Sequence, residues 1–207
     1  MQTMFADAPD LSETELSLIA FLDLDTLKPQ LWEAAAHYRE LYGVKNYSRS
    51  FDPRTTFHIP DMYALMALGR LGDKQAIETL LSSVTDSIRR LDDMVAPYAY
   101  LCTIFETLTF MPCQELVDFF AAQLDKKIQI RNEYNLYFPS AYFVTYSYLA
   151  VLIEDFPNSR KFITAAEFSK EHDKQIDAYI EHCKEFLKTE RGKYKIVTDR
   201  LQLRRGY

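Results

Sequence analysis

Glycine is scarce in this chain, five in 207 residues, and cysteine and tryptophan are scarcer, at three and one. The shortage of glycine counts against a Gly-rich phosphate loop. Gly69 and Gly72 lie close together, but at a helix end and with no Lys-Ser or Lys-Thr behind them. The cysteines, Cys102, Cys113 and Cys183, form no Cys-x-x-Cys pair and leave one over, so buried thiols in a reducing compartment are expected. Long apolar runs are missing too. The longest, Ala141 to Ile153, holds Thr145, Ser147 and several tyrosines and is too short to span a bilayer. The first residues, MQTMFADAPDLSE, carry neither a basic n-region nor an apolar h-region, which excludes an ordinary signal peptide. Positive charge is in deficit, with a net −6, and this argues against generic nucleic-acid binding. A soluble cytoplasmic chain with no membrane and no nucleic-acid partner is expected.

Apolar and aromatic material is plentiful. Hydrophobic residues make up 48%, enough for one domain with a real core, and fourteen Tyr and fourteen Phe need a packed or partner-binding role. The charge is uneven. Residues 1–83 carry 7 basic and 12 acidic side chains, residues 84–183 carry 9 and 15, and residues 184–207 carry 8 and 3. The body is acidic and the tail is basic.

The clearest local signal lies between Ile59 and Val84. Pro60 suits the first turn of a helix, where its missing N–H has no partner to lose. Ala64, Leu65, Leu68 and Leu71 then share one side. Gly72 follows where a left-handed residue ends a helix, and Asp73 can cap the next one. That helix puts Ala76, Ile77, Leu80, Leu81 and Val84 on a single stripe. So short a connection predicts an antiparallel helix pair. The stretch ALGRLGDKQAIETLL, with its Ala-Leu-Gly, Gly-Asp and Ala-Ile-x-x-Leu-Leu elements, resembles the HEAT-like repeats of the bilin-lyase type. The resemblance is confined to about residues 60–84 and elsewhere is one of pattern only. It implies an α-solenoid of stacked antiparallel helix pairs.

Elsewhere the same logic recurs. Ser12 to Glu15 has capping-box form ahead of Leu16, Ile19 and Ala20. Pro29 opens a helix with Leu31, Ala35, Tyr38 and Tyr42 on one face and Gly43 at its end. Tyr47 to His58 lacks a helical period and reads as a loop. Pro97 starts a helix with Leu101, Cys102, Phe105 and Leu108 inward. Its partner carries Leu116, Val117, Phe120, Ala121 and Leu124, the first pair's second stripe displaced by forty residues at every position. A third unit begins at Pro139 with a helix apolar nearly all round, which predicts burial on more than one side; its partner near Ser159 to Phe168 is less distinct. A long helix follows over Asp173 to Lys188, with Ile176, Tyr179, Ile180, Cys183 and Leu187 inward.

Pro60-x-x-Tyr63, Pro97-x-x-Tyr100 and Pro139-x-x-Tyr142, with Pro29-x-x-Trp32 as a looser copy, mark unit starts at intervals of 31, 37 and 42 residues. That range belongs to helical repeat arrays, although prolines commonly begin helices and aromatics commonly fill cores. The expected fold is therefore all-α: one repeat domain over residues 1–207, with no sheet beyond a short hairpin. Its helix pairs lie at about residues 60–85, 97–126 and 139–168, its last helix at about 173–188, and its tail at 189–207.

Candidate chemistry is thin. Glu171-His172 and Glu181-His182-Cys183 resemble a ligand set, but ten helical residues separate them by roughly 15 Å, too far for one metal ion. Asp92-Asp93 lacks further spaced carboxylates and fits an ion-pair ladder with Arg89 and Arg90. Asp52, Arg54 and His58 could share a polar site, yet no nucleophile stands beside them. Tyr134, Tyr137, Tyr142, Tyr146 and Tyr148 read mainly as packing, with a contact surface as the alternative. The alternating tail near Lys195 to Leu203 reads as a short strand, an extended arm or a solvated terminus.

The expectation is thus a non-catalytic protein-binding module with no cofactor and no metal, an immunity protein against a toxin being one version. A HEAT-like enzyme, either a bilin lyase or a DNA glycosylase, is the alternative; the acidic body counts against the latter. The resemblance further implies that second helices line the ligand side. Glu78, Glu115 and Asp118 would then edge an acidic groove for a basic protein surface, with Phe119 as an aromatic anchor off the buried stripe.

Overall fold

The computed structural model describes residues 15, 18–19, 22, 24–41, 61–89, 95–126, 128–131, 137–166 and 169–198. These are mostly helical, as the periodicity predicts. The chain divides into two compact units, one of Met1–Arg89 with Tyr100–Met111, the other of Arg90–Ala99 with Pro112–Tyr207. The expected loop from Tyr47 to His58, with Asp52, Arg54 and His58, falls outside the described residues, as do Ser12, Tyr42, Gly43, Asp92, Asp93 and Tyr134.

In the first unit, a 3-10 turn Asp25–Leu27 leads into α1 (Lys28–Leu41), followed by α2 (Met62–Arg70) and α3 (Lys74–Arg89). Helix α2 packs against both α1 and α3. This explains a departure from the one-sided stripe: Met66, Ala67 and Gly69 are buried along with Ala64, Leu65 and Leu68, while Leu71 is only half-buried. Small residues make that sandwich possible. A Cβ on Gly69 would lie 2.0 Å from Met111 Sδ and 3.0 Å from Ile77 Cγ1.

The turn between α2 and α3 is a Schellman motif. Gly72 takes φ +78, its N–H donates to the Gly69 carbonyl, and the Asp73 N–H donates to the Leu68 carbonyl, both at 3.0 Å. Asp73 Oδ1 then accepts from the Ala76 N–H at 3.0 Å and caps α3. Its other oxygen accepts from Trp32 Nε1 at 3.0 Å, so one carboxylate ties the turn to α1. At the far end of α2, the buried Asp61 carboxylate accepts from Arg39 Nε at 2.9 Å and also from Arg39 Nη2.

The second unit mixes elements. Strand β1 (Val95–Pro97) precedes α4 (Tyr98–Leu108), most of which belongs to the first unit. Then come α5 (Gln114–Gln123), β2 (Gln129–Arg131) and β3 (Tyr137–Pro139). The strands form one sheet in the order β1-β2-β3, the first pair parallel and the second antiparallel. This exceeds the hairpin that the sequence allowed. Pro97 and Pro139 each close a strand directly before a helix, Pro139 as its N-cap. Their missing N–H groups cost nothing at a strand end, and the helix begins one residue later.

From Ser140 the chain runs through α6 (Ser140–Val144), a π-helical stretch Thr145–Leu149 and α7 (Ala150–Leu152). Helix α6 packs on α5 and on α8 (Lys170–Thr189). Among the described residues, the expected partner near Ser159 to Phe168 is only a 3-10 turn, Ser159–Lys161. Backbone demands explain this. Ile153 is extended and forms an antiparallel bridge with Ile196, and Asp155 sits at φ 60. Pro157 follows, and its carbonyl accepts from the Tyr179 hydroxyl at 3.0 Å. Helix α8 buries all five of its expected inward residues, Ile176, Tyr179, Ile180, Cys183 and Leu187. The tail folds back: Val197 N donates to the Leu152 carbonyl at 2.8 Å, and Glu154 N donates to that of Lys195 at 2.9 Å.

Candidate functional site

Helices α5 and α8 border an open groove of about 430 Å³ in the second unit. Its floor is apolar, from Val117, Ala121 and Leu124 on one side and Leu187 on the other. The first three recur at helical spacing, so α5 turns one stripe of small or aliphatic residues to the cleft, and Leu187 faces it from α8 between Lys184 and Lys188.

Two ion pairs clasp the groove. Asp125 meets Lys184 at 2.9 Å, and Asp118 meets Arg191, just beyond α8, at 2.6 Å. Residue numbers rise along α5 as they fall along α8, so the two borders run antiparallel. The clasps stand seven residues apart on each side, Asp125 just past the end of α5 and Arg191 just past that of α8. At the Asp118 end the Gln114 side-chain amide donates to Asp118 Oδ1 at 3.0 Å and to the Tyr194 hydroxyl at 2.7 Å. Tyr194 is held in turn by stacking on Phe186, with ring centroids 6.3 Å apart.

Three cations, Lys184, Lys188 and Arg191, line the groove, and four carboxylates, Asp118, Asp125, Glu181 and Glu185, pair with them. Lys184 is committed: hydrogen bonds to Glu181 and Asp125 push its pKa up. Lys188 is the looser cation, 80% exposed and 3.9 Å from Glu185, beyond hydrogen-bond range.

Of the four residues singled out in the sequence, Asp118 lines this groove and the others do not. Phe119 is corrected. It is 8% exposed and packs edge-on against Phe120 at 5.5 Å, so it belongs to the core and offers no surface anchor. Phe120 stacks on Tyr148 at 5.4 Å, and Phe143 meets Tyr148 at 5.1 Å; the aromatics of α5 pack toward the π-helical stretch. Glu115 is exposed on α5, and Glu78 is exposed on α3 in the other unit. The acidity expected around Asp118 is met by Arg191, a residue of the basic tail. The basic composition of that tail was the one available signal, and it lacked an address.

Other candidates are placed plainly. Glu171, His172, Glu181, His182 and Cys183 all sit on α8, and the His182 ring lies against that of Phe162, centroids 4.6 Å apart and planes tilted by 36°. Among the described residues no group of His, Cys, Asp or Glu is arranged to hold a metal ion, and no helix is long and apolar enough to cross a membrane. None of the cysteines is in a disulfide. Burial pushes the Cys183 thiol up to about 12 and that of Cys113 to about 11, so both stay protonated and unreactive near neutral pH. Of the five tyrosines in the expected cluster, Tyr148 is buried and Tyr146 is 45% exposed, stacked on half-buried Tyr142 at 6.0 Å.

Compared with family models, with curated proteins and with solved structures, the chain matches none.

Proposed function

We propose that this chain is a non-catalytic protein-binding module, built as a short HEAT-like α-solenoid and acting by surface contact. The observation that carries the reading is the groove between α5 and α8. Its floor is apolar, and its carboxylates are each engaged by a cation rather than held ready for proton transfer. Such a cleft suits an inserted segment of another protein. The solenoid reading draws on the α2–α3 pair and on the forty-residue recurrence that carries its stripe into α5. A basic partner surface is proposed for the α3 face of the first unit, where Glu78 and Asp86 are exposed. A protein toxin held inactive by this chain is the specific version.

The test is partner capture from the source cell followed by reconstitution from purified components. Saturable binding is expected, weakened about tenfold by Glu78→Lys, which is 1.4 kcal/mol, with the thermal midpoint unchanged. A purified chain that turns over a small-molecule substrate and reconstitutes with no protein would overturn the reading.

A further inference from the structure

The basic tail turns back on the second unit and is tied to it at both ends. We propose that Arg191 to Val197 form a strap that opens as a unit while α8 stays folded, and that its opening frees the Asp118 end of the groove between α5 and α8. The device works whatever the groove receives, so it stands apart from the protein-binding reading.

The strap reverses direction at Gly192, which takes φ +78, with the Lys193 N–H donating to the Glu190 carbonyl at 2.9 Å. Its first half is fastened to α5. Arg191 Nη2 donates to Asp118 Oδ2, and the Tyr194 hydroxyl accepts from the Gln114 side-chain amide, which also donates to Asp118 Oδ1. These contacts close a polar circuit between helix and strap, so losing one loosens the others. The second half is fastened to the extended Ile153, just past α7. Ile196 bridges to Ile153, the Val197 N–H donates to the Leu152 carbonyl at 2.8 Å, and the Glu154 N–H donates to the Lys195 carbonyl at 2.9 Å. The Lys195 ammonium meets the Glu154 carboxylate at 3.1 Å.

Burial sets the strap apart from what it touches. Leu152, Ile153 and Leu187 are buried, and α8 turns five side chains into the core. From Arg191 to Val197, by contrast, Tyr194, Ile196 and Val197 are half-buried and every other residue is exposed. The two ion pairs of the strap join exposed groups, a kind that contributes little and weakens with salt. A segment with little buried apolar surface and few backbone bonds opens at a lower free energy than the core beneath it. Opening takes Arg191 and Tyr194 out of the groove lining. Asp118 then loses its cation, Phe186 loses the ring stacked on it, and the groove widens beside Leu187.

Amide hydrogen exchange on the full-length chain reads the strap directly, because the Glu154 and Val197 N–H groups each bond across it. Both should exchange about tenfold or more faster than the Tyr179 and Cys183 amides inside α8. Raising salt from about 0.05 M to about 0.5 M, which shortens the screening length, should speed the two strap amides further and leave α8 unchanged. Arg191→Gln should speed the Val197 amide from the opposite end of the strap and remove most of that salt response. Ile196→Asp breaks the far fastening without touching a groove residue. It should nonetheless make the Leu187 and Ala121 methyls more accessible to a neutral gadolinium chelate, read as broadening of their signals. Strap amides as protected as those of α8, and indifferent to salt, overturn separate opening. So does an Ile196→Asp chain that fails to fold, since the strap is then part of the core. Fast strap amides in Ile196→Asp with unchanged Leu187 and Ala121 methyls overturn its hold on the groove.

Discussion

The α2–α3 hairpin and the stretch forty residues after it share a pattern of burial but not a turn. Ala64, Leu65, Ala67 and Leu68 are buried, and so are Ile104, Phe105, Thr107 and Leu108. Ala76, Ile77, Leu80 and Val84 correspond to Leu116, Val117, Phe120 and Leu124, again all buried. Even the half-buried position recurs, Leu81 answering to Ala121. The match is incomplete: Met66 is buried between two helices where Glu106 is exposed on α4, and Leu71 and Thr79 are half-buried where Met111 and Phe119 are buried. The turns are unlike. Gly72 enters the left-handed region and donates a hydrogen bond there, whereas Pro112 has no N–H to donate and a φ locked negative. The first pair stays within one unit, while the chain passes from one unit to the other between Met111 and Pro112. Register of burial therefore follows from the apolar stripe and not from the chemistry of the turn that interrupts it.

The most disruptive way to probe this equivalence is to charge the matching centres. Leu80 and Phe120 are both fully buried. Leu80→Asp and Phe120→Asp should each cost about 3–5 kcal/mol, because either leaves an unpaired carboxylate in an apolar seam. Urea denaturation reads the loss. If only one of the two lowers the midpoint, the positions are not equivalent and the recurrence is a coincidence of pattern.

Next in size is Gly69→Ala. The added methyl would need the room that Met111 Sδ occupies, and overpacking of this kind costs about 1–3 kcal/mol. Thr109 holds the matching place on the second stretch, already with a side chain, so Thr109→Ala adds no atoms and meets no such clash. Met111→Ala combined with Gly69→Ala should cost less than the two changes summed, since one vacates the space the other needs. Strict additivity would show that the close approach does not govern stability here.

Smaller again is Gly72→Ala, expected to cost about 1–2 kcal/mol because an L side chain at φ +78 crowds the following carbonyl. Open space surrounds the site, so the loss reports backbone conformation and nothing else. Pro112→Ala, at the matching position, should move the thermal midpoint less. An equal effect would erase the distinction between the turns.

How much of this was legible depends on how local the cause is. Gly72, Asp73 and the five-residue stripes act within a turn or two, and the structure places them as periodicity and capping rules require. The inward face of α8 was equally plain. Phe119 was misread because a stripe drawn on one helix ignores what packs beside it: Phe120 and Tyr148 widen the buried arc until Phe119 falls inside. The π-helical stretch that buries Thr145, Tyr148 and Leu149 together inserts a residue into the helical period, and composition does not announce it. The groove was half visible. Asp118 stood out, but Lys184 and Arg191 reach it from many residues away in sequence, and a pairing of that separation leaves no mark on local spacing.

The gentlest test concerns the residues that begin the two second helices. Asp73 caps α3 with a carboxylate oxygen, and forty residues later Cys113 occupies the N-cap of α5. Its backbone is already extended, φ −141 and ψ 167, as an N-cap requires, but its side chain makes no capping hydrogen bond. Nor does the thiol serve as an anion at the helix N-terminus. Burial pushes it up to about 11, so it is neutral at pH 7, and Glu115 in the first turn is the group that answers the positive end of the helix dipole. Cys113→Ser changes sulfur to oxygen at nearly constant shape and offers the N–H groups of Glu115 and Leu116 a stronger acceptor than the weak one that sulfur provides. A gain of about 0.5–1 kcal/mol is expected, read as a rise in the thermal midpoint. Asp73→Ala should lose at least as much, since it removes both the cap and the Trp32 bond. Should Cys113→Ser leave the midpoint where it was while Asp73→Ala lowers it, the two helix starts differ in more than their capping atom, and the correspondence ends at the stripe.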